Sequence, residues 1–116
     1  MATSIHAVEQ SGFPVYSIHG YFDEAIGREL NALADQQLIK GKVCLIVDLT
    51  DCPVMNSMGV AQLLELTVRV VEDFAGHLLL VGVNSVVLKV IKLAGVVPQA
   101  ELSQTLTQAL TEAQKV

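Results

Sequence analysis

A chain of 116 residues, 52% hydrophobic and 16% charged, is long enough to bury one core and too short for two, so a single domain over residues 1–116 is expected. The formal net charge of −5 and the scattered Lys and Arg exclude nucleic acid and anionic membrane as partners, since both need clustered cations to displace counterions. No apolar run reaches the roughly 18 residues of a bilayer span, and the first six residues carry no basic segment leading into an apolar core, so a cytoplasmic protein without a signal peptide is expected.

Residues 4–9 and 15–21 are short segments rich in β-branched and aromatic side chains. They read as a hairpin whose loop, residues 10–14, is somewhat longer than the tightest type. Gly20 breaks that pattern. From residue 23 to about 39, Phe22, Ile26, Leu30 and Leu33 recur at intervals of three and four, which predicts a one-sided helix capped by Asp23 and ended by Gly41. Residues 43–47 form an unbroken apolar run, the pattern of a central strand covered on both faces. A polar, proline-containing turn follows, and a second helix is predicted from about residue 57 to 74. Its polar stripe is Gln62, Glu65, Arg69, Glu72 and Asp73, and at ~100° per residue Met58 and Leu66 fall on or beside that stripe, which predicts partial exposure for both. Residues 77–83 form another apolar strand. A short, mostly buried third helix capped by Asn84 or Ser85 runs to Ala94, where Gly95 and Pro98 stop it. Leu102, Leu106, Ala109, Leu110 and Ala113 mark a last amphipathic helix with Ser103 as its cap. The order predicts an α/β domain with about four helices and a mixed sheet of about four strands, its N-terminal hairpin antiparallel and its later strands parallel.

Most chemistries lack their residues. His6, His19 and His77 have no metal-type spacing to one another or to the cysteines, so no metal site is expected. Cys44 and Cys52 form neither a CxxC pair nor a disulfide framework and read as reduced thiols. A nucleophile elbow needs glycine two positions before its serine, and Met55 stands there. Asp48 and Asp51 end a central strand, but the acidic cluster and late lysine of an aspartyl-phosphate receiver are missing. Neither GxxxxGK nor GxGxxG occurs, so no nucleotide cofactor, and no enzyme, is indicated. Ser57 remains, at a helix start, as either a structural cap or a chemically used hydroxyl.

The segments Val47-Asp48-Leu49-Thr50, Asn56-Ser57-Met58-Gly59-Val60, Gly20-Tyr21-Phe22-Asp23, residues 76–83 and Leu93-Ala94-Gly95-Val96 together resemble the STAS domain family, in particular the bacterial anti-sigma factor antagonists. The resemblance covers essentially the whole chain. It implies a non-enzymatic regulator without a cofactor, a monomer or weak dimer, that binds an anti-sigma factor with serine kinase activity and is inactivated by phosphate on Ser57. It allows a serine phosphatase as a further partner, and it matches Asp23 to an acidic position near the same site. The family's Asp before the serine is Asn56 here, and its following Ser or Thr is Met58. Those departures keep open a scaffold or accessory subunit of a stress-sensing or lipid-transport assembly. Phosphate adds about −1.5 to −2 charge and would meet the positive end of the second helix, which favours it there. The expected effect is therefore on a contact surface of Asp23, Asn56, Ser57, Met58, Gln62 and Leu66 rather than on the fold.

Overall fold

The computed structural model describes residues 3–116. Strands β1 (Ser4–Gln10) and β2 (Phe13–His19) pair antiparallel. Their connection is tighter than the sequence suggests: only Ser11 and Gly12 lie between them, with φ of 53° and 85°, the two positive values of a turn whose twist matches the strands it joins. Pro14 does not end the strand: next to a two-residue turn closed by the Gln10–Phe13 pair its nitrogen faces away from β1, and pairing with β3 begins only at Val15.

After β2 come α1 (Glu24–Leu38), β3 (Cys44–Asp48), α2 (Ser57–Val68), β4 (His77–Val81), α3 (Ser85–Ala94), β5 (Glu101–Ser103) and α4 (Leu106–Ala113). The sheet order is β1-β2-β3-β4-β5, with every pair after the first parallel. As its unbroken apolar run requires, β3 is central. The described residues form five strands rather than about four. The fifth is three residues long, too short to show a period, and the four-residue spacing of Leu102 and Leu106 imitates a helix. Ser103 is accordingly a buried strand residue opposite Val81, and Thr105 caps α4, its hydroxyl accepting from the Gln108 amide at 3.1 Å.

Alternation along the strands divides the core between two faces. Tyr16, Ile18, Leu45, Val47, Leu78 and Leu80 turn toward α1, α2 and α3, where they meet Ile26, Leu30, Leu63, Leu66, Val87 and Ile91. Val15, Ile46, Leu79 and Val81 turn to the other face and are covered by Ala109 and Ala113 of α4. The second helix changes register at its end: Arg69–Asp73 forms a π-helical turn, and the Gly76 amide then reaches the Val70 carbonyl at 2.7 Å. A side chain at Gly76 would sit 2.0 Å from the Val43 carbonyl oxygen. Only glycine lets the chain enter β4 so close to β3. The third helix is less covered than its composition suggests. Val87 and Ile91 are buried, while Val86 is 55% and Leu93 86% exposed.

Tyr16 lies in the core beneath α1, its hydroxyl 3.3 Å from the Leu33 carbonyl oxygen, and burial pushes its pKa up to about 12. A folded-state pKa above the unfolded value of about 10 means that only the unfolded chain releases the proton between those pH values, so stability falls there as pH rises. Urea midpoints followed by circular dichroism should decline between pH 10 and 12. The Tyr16→Phe variant should lose that part of the decline.

Candidate functional site

Asp23, Asn56, Ser57 and Met58, four of the six residues singled out in the sequence, gather where the parallel strands end. The loop after β3 is fixed by backbone bonds to the segment before α1. The Gly20 amide donates to the Asp51 carbonyl at 3.0 Å, the Phe22 amide to Val54 at 3.0 Å, and the Asn56 amide to Phe22 at 3.2 Å. Phe22 and Met55 thereby form a parallel bridge, and Asp23 and Asn56, each one residue further, open α1 and α2 side by side. A Cβ at position 59 would stand 2.3 Å from the Phe22 carbonyl oxygen, so the approach requires glycine.

Asp23 caps α1 as expected, accepting from the Ile26 amide at 3.0 Å. At α2 the cap is Asn56, whose Oδ1 accepts from the Gly59 amide at 2.8 Å. Ser57 is therefore the first helical residue, not the cap, and it is exposed. Asn56 takes the third amide of the helix, which leaves those of Ser57 and Met58 as first-turn donors without an intrahelical acceptor. Met58 is 51% exposed, as its wheel position predicts.

The other acids of the loop are engaged locally. Asp48 accepts from the Thr50 amide at 3.0 Å and its hydroxyl at 2.6 Å. Asp51 pairs with His19 at 3.1 Å, both largely exposed. Asn84 caps α3 and also donates to the Pro53 carbonyl at 3.1 Å, tying a third helix start to the same loop. Burial raises the pKa of both free thiols, Cys44 and Cys52, which disfavours the thiolate form that nucleophilic chemistry needs. Among the described residues no group of three or more His, Cys, Asp or Glu is placed to hold a metal ion. None of their helices is long and apolar enough to cross a membrane.

Gln62 and Leu66 do not belong to this exposed corner. Leu66 is fully buried. Gln62 faces α1, where Asn31 Nδ2 donates to its backbone oxygen at 3.0 Å and its Oε1 at 3.3 Å. Arg69 continues the seam, donating to Asn31 Oδ1 at 3.2 Å and pairing with Asp35. A helical wheel assigns polar residues to water, but here Gln62 and Arg69 of the α2 stripe face Asn31 and Asp35 of α1, and Leu66 is covered along with them. What the sequence reading missed is a shallow groove of about 410 Å³ between α2 and α3, with Ser57 at its rim and Ala61, Leu64, Val90, Leu93 and Ala94 along its walls. Its sequence signal was the recurrence of Val86, Val90 and Leu93 along one side of a helix too short to bury them all.

Residues 4–109 match the STAS domain family model. Among solved structures, an anti-sigma factor antagonist from Mycobacterium paratuberculosis is 19% identical, with 97% of this chain and 95% of that one covered and a TM-score of 0.81. The Bacillus cell fate determinant SpoIIAA in its phosphorylated form is 20% identical over 96% and 98% of the two chains, with a TM-score of 0.71. The murine Slc26a9 anion transporter is 19% identical; 94% of this chain covers 19% of that one, with a TM-score of 0.76. At these identities the likeness is one of fold. No curated protein matches the chain.

The two apolar neighbours of the polar stripe should separate on truncation. Leu66→Ala should cost about 2–5 kcal/mol in denaturant unfolding, the range for emptying a filled core site, and Met58→Ala should stay within about 0.5 kcal/mol.

Proposed function

The chain belongs to the STAS domain family, and from that premise we propose that it is an anti-sigma factor antagonist, a non-enzymatic cytoplasmic regulator switched by phosphate on Ser57. In this reading it binds an anti-sigma factor with serine kinase activity and displaces the sigma factor by competition. The partner brings ATP, and the Ser57 hydroxyl oxygen bonds to the γ-phosphorus as ADP leaves. A serine phosphatase would reset the site.

The observation that carries this reading is the division of work between two adjacent residues. Asn56 does the capping, so the exposed Ser57 hydroxyl is not committed to holding the helix and can be modified at little structural cost. A phosphate there would meet the free amides of Ser57 and Met58 at the positive end of α2. Asn56, being neutral, sets no like charge beside it, and the Asp23 carboxylate is already engaged with the Ile26 amide. The modified fold is therefore retained, and the added charge and bulk act on whatever is docked against Asp23, Asn56, Ser57 and Met58. The full alternation of the switch would then be a matter of surface rather than of shape.

A second reading, a domain that scaffolds an assembly without switching, is favoured by Met58, which stands where the family resemblance calls for a hydroxyl residue. The two readings part on substitution. In the switch, Ser57→Asp should abolish binding of the kinase partner in calorimetric titration, and Ser57→Ala should bind normally but take up no phosphate from ATP. A Ser57 phosphoprotein that binds the kinase partner with undiminished affinity would sink the proposal. A scaffold would be indifferent to both changes.

A further inference from the structure

The two edges of the sheet are unlike. One is β5, three residues long and too short to template another strand. The other is β1, seven residues long, whose register against β2 runs from Ser4 to Gln10 without a bulge. Residues 6–10 are all exposed, so no other part of the described chain covers that edge. Edge strands are commonly guarded by lysine, proline, a bulge or brevity, and Ser4–Gln10 has none of these. Its only Asp, Glu, Lys or Arg is Glu9, which is already paired with Lys42 of the same chain.

The hairpin fixes which backbone groups this edge offers. In a two-residue turn the closing pair, here Gln10 and Phe13, is hydrogen-bonded, and bonded pairs then alternate with unbonded ones along the ladder. Val8–Val15, His6–Ser17 and Ser4–His19 are accordingly bonded, while Ile5, Ala7 and Glu9 turn their amides and carbonyls away from β2. Pro14, opposite Glu9, keeps that phase, since a bonded position would need the N–H that proline lacks. Among the described residues no backbone hydrogen bond from outside the strand ladders reaches Ile5, Ala7 or Glu9.

We infer that this edge pairs with the same edge of a second copy of the chain, antiparallel about a two-fold axis at Ala7. Of the registers open to two such strands, this one uses all three outward residues. Ala7 meets the partner's Ala7, and Ile5 and Glu9 meet the partner's Glu9 and the partner's Ile5, each pair exchanging two backbone bonds. A register centred on Glu9 would set two carboxylates opposite one another, which is unfavourable, and one centred on Ile5 would carry Glu9 past the partner's Ser4. At Ala7 the axis passes between two methyl groups, and the two Glu9 side chains stand about 14 Å apart, beyond the reach of strong repulsion. On the opposite face of the sheet His6 lies against the partner's Val8, and Val8 is 39% exposed in the single chain. The two sheets become one. Because β1 is antiparallel to its copy, the two sets of parallel strands also run in opposite directions, and the two Ser57 residues stand at opposite ends of the joined sheet. The pairing is thus independent of the switch.

Sedimentation equilibrium of the full chain should show a reversible dimer with a Kd of about 0.1 mM, in keeping with an interface one strand wide. Amide hydrogen exchange read residue by residue should slow at Ile5, Ala7 and Glu9 as concentration rises, and stay unchanged at His6 and Val8, whose amides β2 already holds. Only a residue on the axis faces itself, so position 7 reports the register. Ala7→Asp and Ala7→Lys, both at an exposed position, should each weaken the dimer about tenfold, and an equimolar mixture of the two should associate at least as tightly as the unaltered chain, with added salt removing that gain. A chain that stays monomeric at about 1 mM, ten times the expected Kd, would overturn the inference. So would dimerisation that neither substitution weakens, a mixture no tighter than its components, or exchange that slows on another element instead of β1. The exchange measurement uses the unaltered chain, so it decides the matter even where a substituted chain folds poorly.

Discussion

The corner where Phe22 meets Met55 holds this molecule in its working form. Two stretches far apart in sequence are clamped there by reciprocal backbone hydrogen bonds, Phe22 to Val54 and Asn56 to Phe22, in what amounts to one further step of parallel pairing beyond the end of the sheet. The clamp fixes where α1 and α2 begin, and because Gly59 passes so close to the Phe22 carbonyl, it also fixes how near the second helix lies to the first. Everything at the site inherits its position from this contact. The two caps stand one residue beyond it, and the serine stands one residue beyond the second cap.

From that corner the two helices run side by side along a polar seam. Asn31, Gln62, Arg69 and Asp35 satisfy one another between the helices, while Leu30 and Leu66 beneath them close the core. A Cβ on Gly27 would lie 2.4 Å from that of Gln62, so the helices are in close contact where the seam begins. Such a bonded seam specifies one rotational setting of α2 more narrowly than apolar packing does, since a polar group turned away from its partner loses its bonds without regaining full hydration. The exposure of Met58 and Ser57 follows from that setting.

The parts of the fold carried by long periodic segments were legible from the residues alone. The central strand, the Asp23 cap, the first three helices and the antiparallel start of a mixed sheet all follow from patterns that extend over several turns or a full strand. Short or two-sided features were not. Three residues of β5 cannot display a period, and the two-residue hairpin turn lacks the Asn-Gly signature that would announce it. The fate of Gln62 and Leu66 depended on α1, which the pattern within α2 cannot report. The same limit hid the groove: Leu93 reads as core in a list of apolar residues, and only the placement of α3 beside α2 shows that it has no cover. At the site, a serine at a helix start was readable, whereas the choice of Asn56 over Ser57 as cap depended on one residue of register.

The sheet has a property that bears on how the chain reaches this form. Its spatial order repeats its order along the chain, so each strand pairs with the one synthesised just before it and no strand must be threaded between two that are already joined. Each closure spans a single helix or turn, and the entropy lost in bringing its ends together is correspondingly modest. The hairpin can form first, and each later strand can then add to an edge that is already present. The order permits assembly in one direction, and the corner between Phe22 and Met55 needs only the first three strands and the loop after the third to close.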